Sequence, residues 1–321
     1  MDRNGKSGAF RAGVSLAALS AFLGAAPAFA GDYVIDSDVP KVLITTGIDG
    51  SVINNANVGD GSNNFGVMIT DGASVSGSLV NNGEVAADIT DSKIAASAEV
   101  AGIAVMDGGQ VAGPVVNNGS IAAHAGATGA EAEVRGYGIF IQGEGNPDVQ
   151  NSAGAVISNE TSADAAYYAE STASGIALDM GAGPVGGNAG SAGAGEELLS
   201  ASIMNAGDIG ASSSSVTTGV EGGGPGQEAI ALALGAGQLV QSPQAFANAA
   251  NGSGAVIAVS ASAESHYYGA GMSVAAGAGI LQLALGDEAY SAIDNQGDVT
   301  VHVSATCLLY TSDAADDTPC V

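Results

Sequence analysis

The side chains able to do chemistry in this sequence are three histidines, an excess of carboxylates and two tyrosine pairs. His124, His266 and His302 are the only imidazoles. His124 follows Ile121 by three residues and His302 follows Val299 by three, so these two hold matching positions. No His-Glu-x-x-His run or similar zinc spacing exists. The three read as outward-facing strand residues, far apart along the molecule.

Carboxylate catalysis on sugars needs two acids facing one bond. Here the acids are scattered. Glu196-Glu197 and Asp287-Glu288 are adjacent pairs, and neighbours on a strand point to opposite faces. Asp49, Asp60, Asp71 and Asp107 each precede Gly, a turn signature. They read as turn and solubility residues, and no catalytic residue is assigned. The calcium nonapeptide and the EF-hand loop are both absent. Gly59-Asp60-Gly61-Ser62-Asn63-Asn64 is oxygen-rich without matching a known loop. No cofactor or metal ligand is therefore expected, with calcium the one ion the acidity leaves open. Tyr167-Tyr168 and Tyr267-Tyr268 read either as an exposed aromatic strip for glycan contact or, more simply, as packing between coils.

The framework for these residues follows from composition. The chain has 321 residues, 50 of them Gly, with no Trp and 4% aromatics. Lys+Arg is 6 against Asp+Glu 33, a net charge of -27. Such a surface repels phosphate, which excludes a nucleic-acid partner. Hydrophobics at 46% argue against a disordered acidic tail. So few aromatics argue against a compact globular core and favour a thin, repetitive β structure.

Both ends stand apart. Residues 1–30 carry a basic stretch to Arg11, an apolar run from Ala12 to Ala25 and the cleavage pattern Ala28-Phe29-Ala30. That is the form of a secretory signal peptide. From Cys307 the Gly/Ala/Ser/Val rhythm stops, and Cys307 to Val321 resembles a translated transposon-end sequencing adapter. The expected native stretch is then 31–306, cut off near Thr306. It contains no Cys and only three basic residues, Lys41, Lys93 and Arg135.

Two signatures repeat within it, from about residue 44. The first is apolar-x-Asn-x-Gly-x-apolar, with corners at Asn81 and Gly83, Asn117 and Gly119, Asn205 and Gly207, and Asn295 and Gly297. Asn151 to Gly154 and Asn251 to Gly254 are looser copies. The second is Gly-apolar-x-apolar, as in Gly66-Val67-Met68-Ile69, Gly102-Ile103-Ala104-Val105, Gly138-Ile139-Phe140-Ile141 and Gly175-Ile176-Ala177-Leu178. Ala229-Ile230-Ala231-Leu232 and Gly271-Met272-Ser273-Val274 read as later copies. Gly83 to Gly102 and Gly119 to Gly138 are both 19 residues. The period-2, β-branched runs are strand patterning. The spacing predicts an all-β fold, a single-stranded parallel β-helix with coils of about 20 residues. Roughly ten to fourteen coils would make a rod of about 50–65 Å at ~4.8 Å each. Asn at the corner bonds nearby backbone and can stack into an amide ladder, while Gly supplies a positive φ. Gly/Ala-rich segments at 181–195 and 219–226 read as protruding loops, and Glu196 to Ser200 as one short turn.

On these residues the chain resembles the passenger region of bacterial autotransporter proteins, of the type V secretion route. The resemblance covers about residues 40 to 306. It implies a parallel β-helix exported past the outer membrane of a Gram-negative bacterium by a C-terminal outer-membrane β-barrel of the same chain, absent from this sequence. It implies a non-enzymatic surface or adhesion rod whose partners are surface glycans or other cells. Lack of Cys suits threading through a barrel unfolded. The alternative is a secreted β-helix enzyme, a lyase or hydrolase, degrading polysaccharide.

Overall fold

The computed structural model describes residues 29–59, 62–143, 145–181, 198–219, 227–267 and 271–309. The expected signal peptide, apart from Phe29 and Ala30, lies outside them. So do most of the two Gly-rich segments, the Glu196-Glu197 pair, Asp60, Tyr268 and the tail beyond Leu309.

The described residues are all-β, with long parallel sheets compatible with a β-helix or solenoid. One sheet holds eight parallel strands in sequence order: Tyr33–Ile35, Val52–Asn54, Leu79–Asn81, Val115–Asn117, Asp148–Asn151, Leu198–Asn205, Gln244–Asn251 and Glu288–Asn295. A second sheet takes the long strands, among them Ser120–Gly143 and Val156–Gly181. A short third sheet closes the N-terminal turns with Phe29–Ala30, Ile48–Asp49, Ser74–Val75 and Gln110–Val111. Together the three faces enclose a tube.

The register corrects the expected coil length. Successive corner asparagines pair across separations of 27, 36, 34, 54, 46 and 44 residues. Both signatures therefore fall within one turn rather than on two. The eight-strand sheet spans only about 34 Å at ~4.8 Å per step.

The extra length of each turn forms a fin. From the corner the chain runs out from the tube, reverses, and returns beside itself. Glu84–Asp91 goes out and Ala95–Val105 comes back. Ser120–Gly143 does both in one strand, with a register break between Gly129 and Glu131. Asp208–Thr217 and Gln227–Gln241 are the two walls of a later turn. Ala87, Ala98, Ala123, Ala125, Ala132 and Val134 pack between the walls.

The tube core is aliphatic. Columns such as Val85, Ile121, Ile157, Ile209 and Ile257 are at most 1% exposed. On the last turn the same column reaches Val299, 38% exposed, with Val301 and Val303 beside it. The final strands pair on one side only.

Glycine marks the seam where each return wall re-enters the tube. A Cβ on Gly138 would lie 2.3 Å from Ile157 Cγ2 and 2.5 Å from the Gly175 carbonyl oxygen. Gly66, Gly102, Gly175, Gly235 and Gly279 face the equivalent side chains of the turns that follow them, Val85, Ile121, Ile209, Ile257 and Val299. The register thus pairs Ile176 with Ala236, and Ala236 with Ile280. The later copies of the second signature begin at Gly235 and Gly279, not at Ala229 and Gly271.

Candidate functional site

The corner asparagines form one continuous internal ladder. Each side-chain amide donates from Nδ2 to Oδ1 of the next, from Asn54 through Asn81, Asn117, Asn151, Asn205 and Asn251 to Asn295, at 2.8–2.9 Å. The second N–H of Asn81 donates to the Ser120 carbonyl, that of Asn117 to Val156 and that of Asn151 to Asp208. The oxygens also accept backbone N–H groups, as Asn54 does from Ala56 and Asn117 from Gly119. From Asn54 to Asn251 the rungs are at most 3% exposed. A buried amide is tolerated only when satisfied, and here each bond satisfies two amides at once.

The corner glycines have a different cause from the one expected. Gly83, Gly119, Gly207 and Gly297 have no positive φ. A Cβ on Gly119 would sit 2.0 Å from the Gly83 carbonyl oxygen, and one on Gly83 2.1 Å from that of Ala56. Close approach of stacked backbones excludes a side chain there. Positive φ occurs instead at the looser corners, at Gly154 (79°) and Gly254 (82°). It also occurs in the Asp71-Gly72 and Asp107-Gly108 turns, where both residues are left-handed.

Sequence reasoning missed Asn54, whose corner lacks the Gly. It also missed an outer ladder running the opposite way. Asn118 Nδ2 donates to Asn82, Asn82 to Asn55, and Asn55 to Asp36. The signal was present, as doublets at Asn54-Asn55, Asn81-Asn82 and Asn117-Asn118.

The outer faces carry the titratable groups. His124 Nδ1 lies 3.1 Å from Asp88 Oδ1, one step along the stack, both half-exposed. The register continues through Glu160, Ser212 and Ser260 to His302. The two histidines thus share a column yet stand about 19 Å apart, four steps at ~4.8 Å. His266 Nε2 lies 2.6 Å from Glu264. On the return wall Arg135 donates to Glu133 at 2.6 Å, while Tyr168 donates to Glu170. Burial pushes the Glu99 carboxyl up, with Arg135 opposing and Glu133 adding to the shift. Burial, and then the Glu99 charge, push Tyr137 up to about 12. Its ring stacks on Phe140 at 4.6 Å between centroids. Among the described residues no group of three His, Cys, Asp or Glu side chains is placed to hold a metal ion.

Asp287 and Glu288 are both exposed. Tyr167 is exposed, beside the half-buried Tyr168. The strand Asp298–Leu309 runs unbroken through Thr306 and Cys307. No protein-family model matches the chain, and no curated protein or solved structure is significantly similar to it.

Proposed function

We propose that this chain is an exported, non-enzymatic surface rod, wound as a single-stranded parallel β-helix, of the kind autotransporters carry as passengers. The observation that carries the reading is the internal asparagine ladder. It joins seven turns in sequence order, as continuous winding in one direction would. Such a core spends its polar groups on holding turns in register and leaves the long outer faces for contact. Residues 1–30 direct export, and a C-terminal barrel delivers the rod to the outer surface. The uncovered apolar rung at Val299 to Val303 is a surface that a further turn of the same winding would cover.

The test joins residues 1–306 to an autotransporter barrel in a Gram-negative host. The expected result is a chain that begins at Gly31 and is cleaved by protease added to intact cells. A chain held in the periplasm with an otherwise working barrel sinks the reading. Release of new reducing ends or unsaturated sugars from a polysaccharide panel would establish the enzyme instead.

A further inference from the structure

The outgoing walls of the fin turn one face to solvent, and on it a trough of about 680 Å³ runs along the stacking axis. Its floor is a column of small residues in register, Ala86, Ala122, Ser158, Gly210 and Ala258. Asp88 and Glu160 stand on one bank, two steps apart with His124 between them. Glu84, Asp208 and Asp298 stand exposed on the other. No Lys or Arg occurs on the described outgoing strands.

We propose that this trough binds an extended, lysine-rich segment of a partner protein. Three features select that occupant. Carboxylates on both banks, with no Lys or Arg beside them and His124 the one basic group against Asp88, call for positive charge. The methyl- and Gly-lined floor accepts alkyl stems, which lysine buries while its ammonium stays at the rim. Length and alternation favour a peptide over a small amine. From Ala86 to Thr300, the next rung after Ala258, five steps of the stack give about 24 Å, the span of roughly seven extended residues at ~3.3 Å each. Successive side chains of an extended peptide point to opposite sides, so its lysines reach both banks.

This partner deepens the surface-rod reading but is measured independently of export, so loss of surface display leaves it standing. The probe is fluorescein-labelled octalysine, followed by anisotropy on the purified full chain at low and physiological salt. Asp88→Asn with Glu160→Gln is expected to weaken binding by about five- to tenfold. Gly210→Leu fills the floor without changing charge. The space at its Cβ is open, the nearest atom being the Ile157 carbonyl oxygen at 3.9 Å. It is expected to weaken binding comparably, with the far-ultraviolet circular dichroism unchanged. The control is Glu131→Gln with Glu228→Gln, also two steps apart but on the return wall, with Tyr168 between. It is expected to change binding less than about twofold. Equal loss in the control reduces the effect to the overall charge and overturns the proposal. Full binding by Gly210→Leu overturns it as well. Displacement of the peptide by spermine at equal charge concentration overturns the peptide assignment.

Discussion

In the tube the inward columns are Val, Ile and Leu. In the fin they are mostly Ala throughout, joined in the later turns by Ser, Thr and Asn. Thr161 Oγ1 lies 2.6 Å from Ser171 Oγ, and Ser213 donates to Ser171 at 3.0 Å. Asn159 donates to the Ser174 carbonyl, and Thr217 to Ser265. Burying an Ile side chain contributes about 2–3 kcal/mol, a methyl far less. The tube is therefore held by apolar volume. The fin is held by its backbone ladders and by small polar pairs that gain only about 1 kcal/mol each. Both regions share the same strands and the same register. What differs is what fills the gap between walls, and local opening follows that. Fin amides near the tip are expected to exchange with deuterium before those flanking Ile121 and Ile157. Uniform protection would break the comparison.

The largest effects lie in the tube and its seam. Ile157→Ala is expected to cost about 3–4 kcal/mol, read from urea melts. Val134→Ala, equally buried but in the fin, is expected to cost about 2 kcal/mol. Gly138→Ala drives its methyl into Ile157 Cγ2 and the Gly175 oxygen, and about 3 kcal/mol of strain follows. Removing that Cγ2 relieves part of the clash. The double variant Gly138→Ala with Ile157→Ala is thus expected to be less destabilised than the sum of the two. Additive losses would separate the seam glycine from the core residue it faces.

The ladder comes next. Asn117→Ala leaves one N–H of Asn81 and the Asn151 oxygen without their partner, at about 2–4 kcal/mol in all. Asn118→Ala breaks the exposed outer ladder, where water replaces the bond, and should stay within about 0.5 kcal/mol. In the fin, Thr161→Val is expected to cost about 1 kcal/mol. Adding Ser171→Ala should cost less than the sum, because both ends of the pair are then gone.

Much of the tube could be read from the sequence, because it is written in short repeats. Asn-x-Gly located the corners, and β-branched alternation located strands. The fin could not be read the same way. Ser120–Gly143 alternates on both sides of the tip and changes phase between Gly129 and Glu131, with Gly126 and Gly129 the hints of a reversal. Spacing alone then suggested two coils where there is one turn with an excursion. The seam glycines were visible up to Gly175. Beyond it the fin lengthens, and Ala229-Ile230-Ala231-Leu232 imitates the signature within the return wall. At the corner glycines the expected positive φ is absent. Sequence marks where a side chain is excluded, and only stacking shows that a carbonyl excludes it. Of the outward columns only the matching positions of His124 and His302 were legible, and Asp88 meets His124 through register alone.

The smallest predicted effect sits on the outer face of the return wall. Burial raises the Glu99 carboxyl in the folded chain above its value in the unfolded one. Such a group favours folding most below the unfolded pKa, and that contribution is lost as pH rises through the folded value. At neutral pH the partly buried charge is a burden, only partly offset by Arg135. Glu99→Gln is therefore expected to raise the melting temperature slightly at pH 7 and to leave it unchanged near pH 4. The Glu99 charge is also the second cause of the raised Tyr137 hydroxyl, after burial. The same variant should move the phenolate absorbance transition of Tyr137 slightly down from about 12. A gain in stability that persists at pH 4, with no shift in that transition, would mean that Gln packs better there, not that the charge was costly.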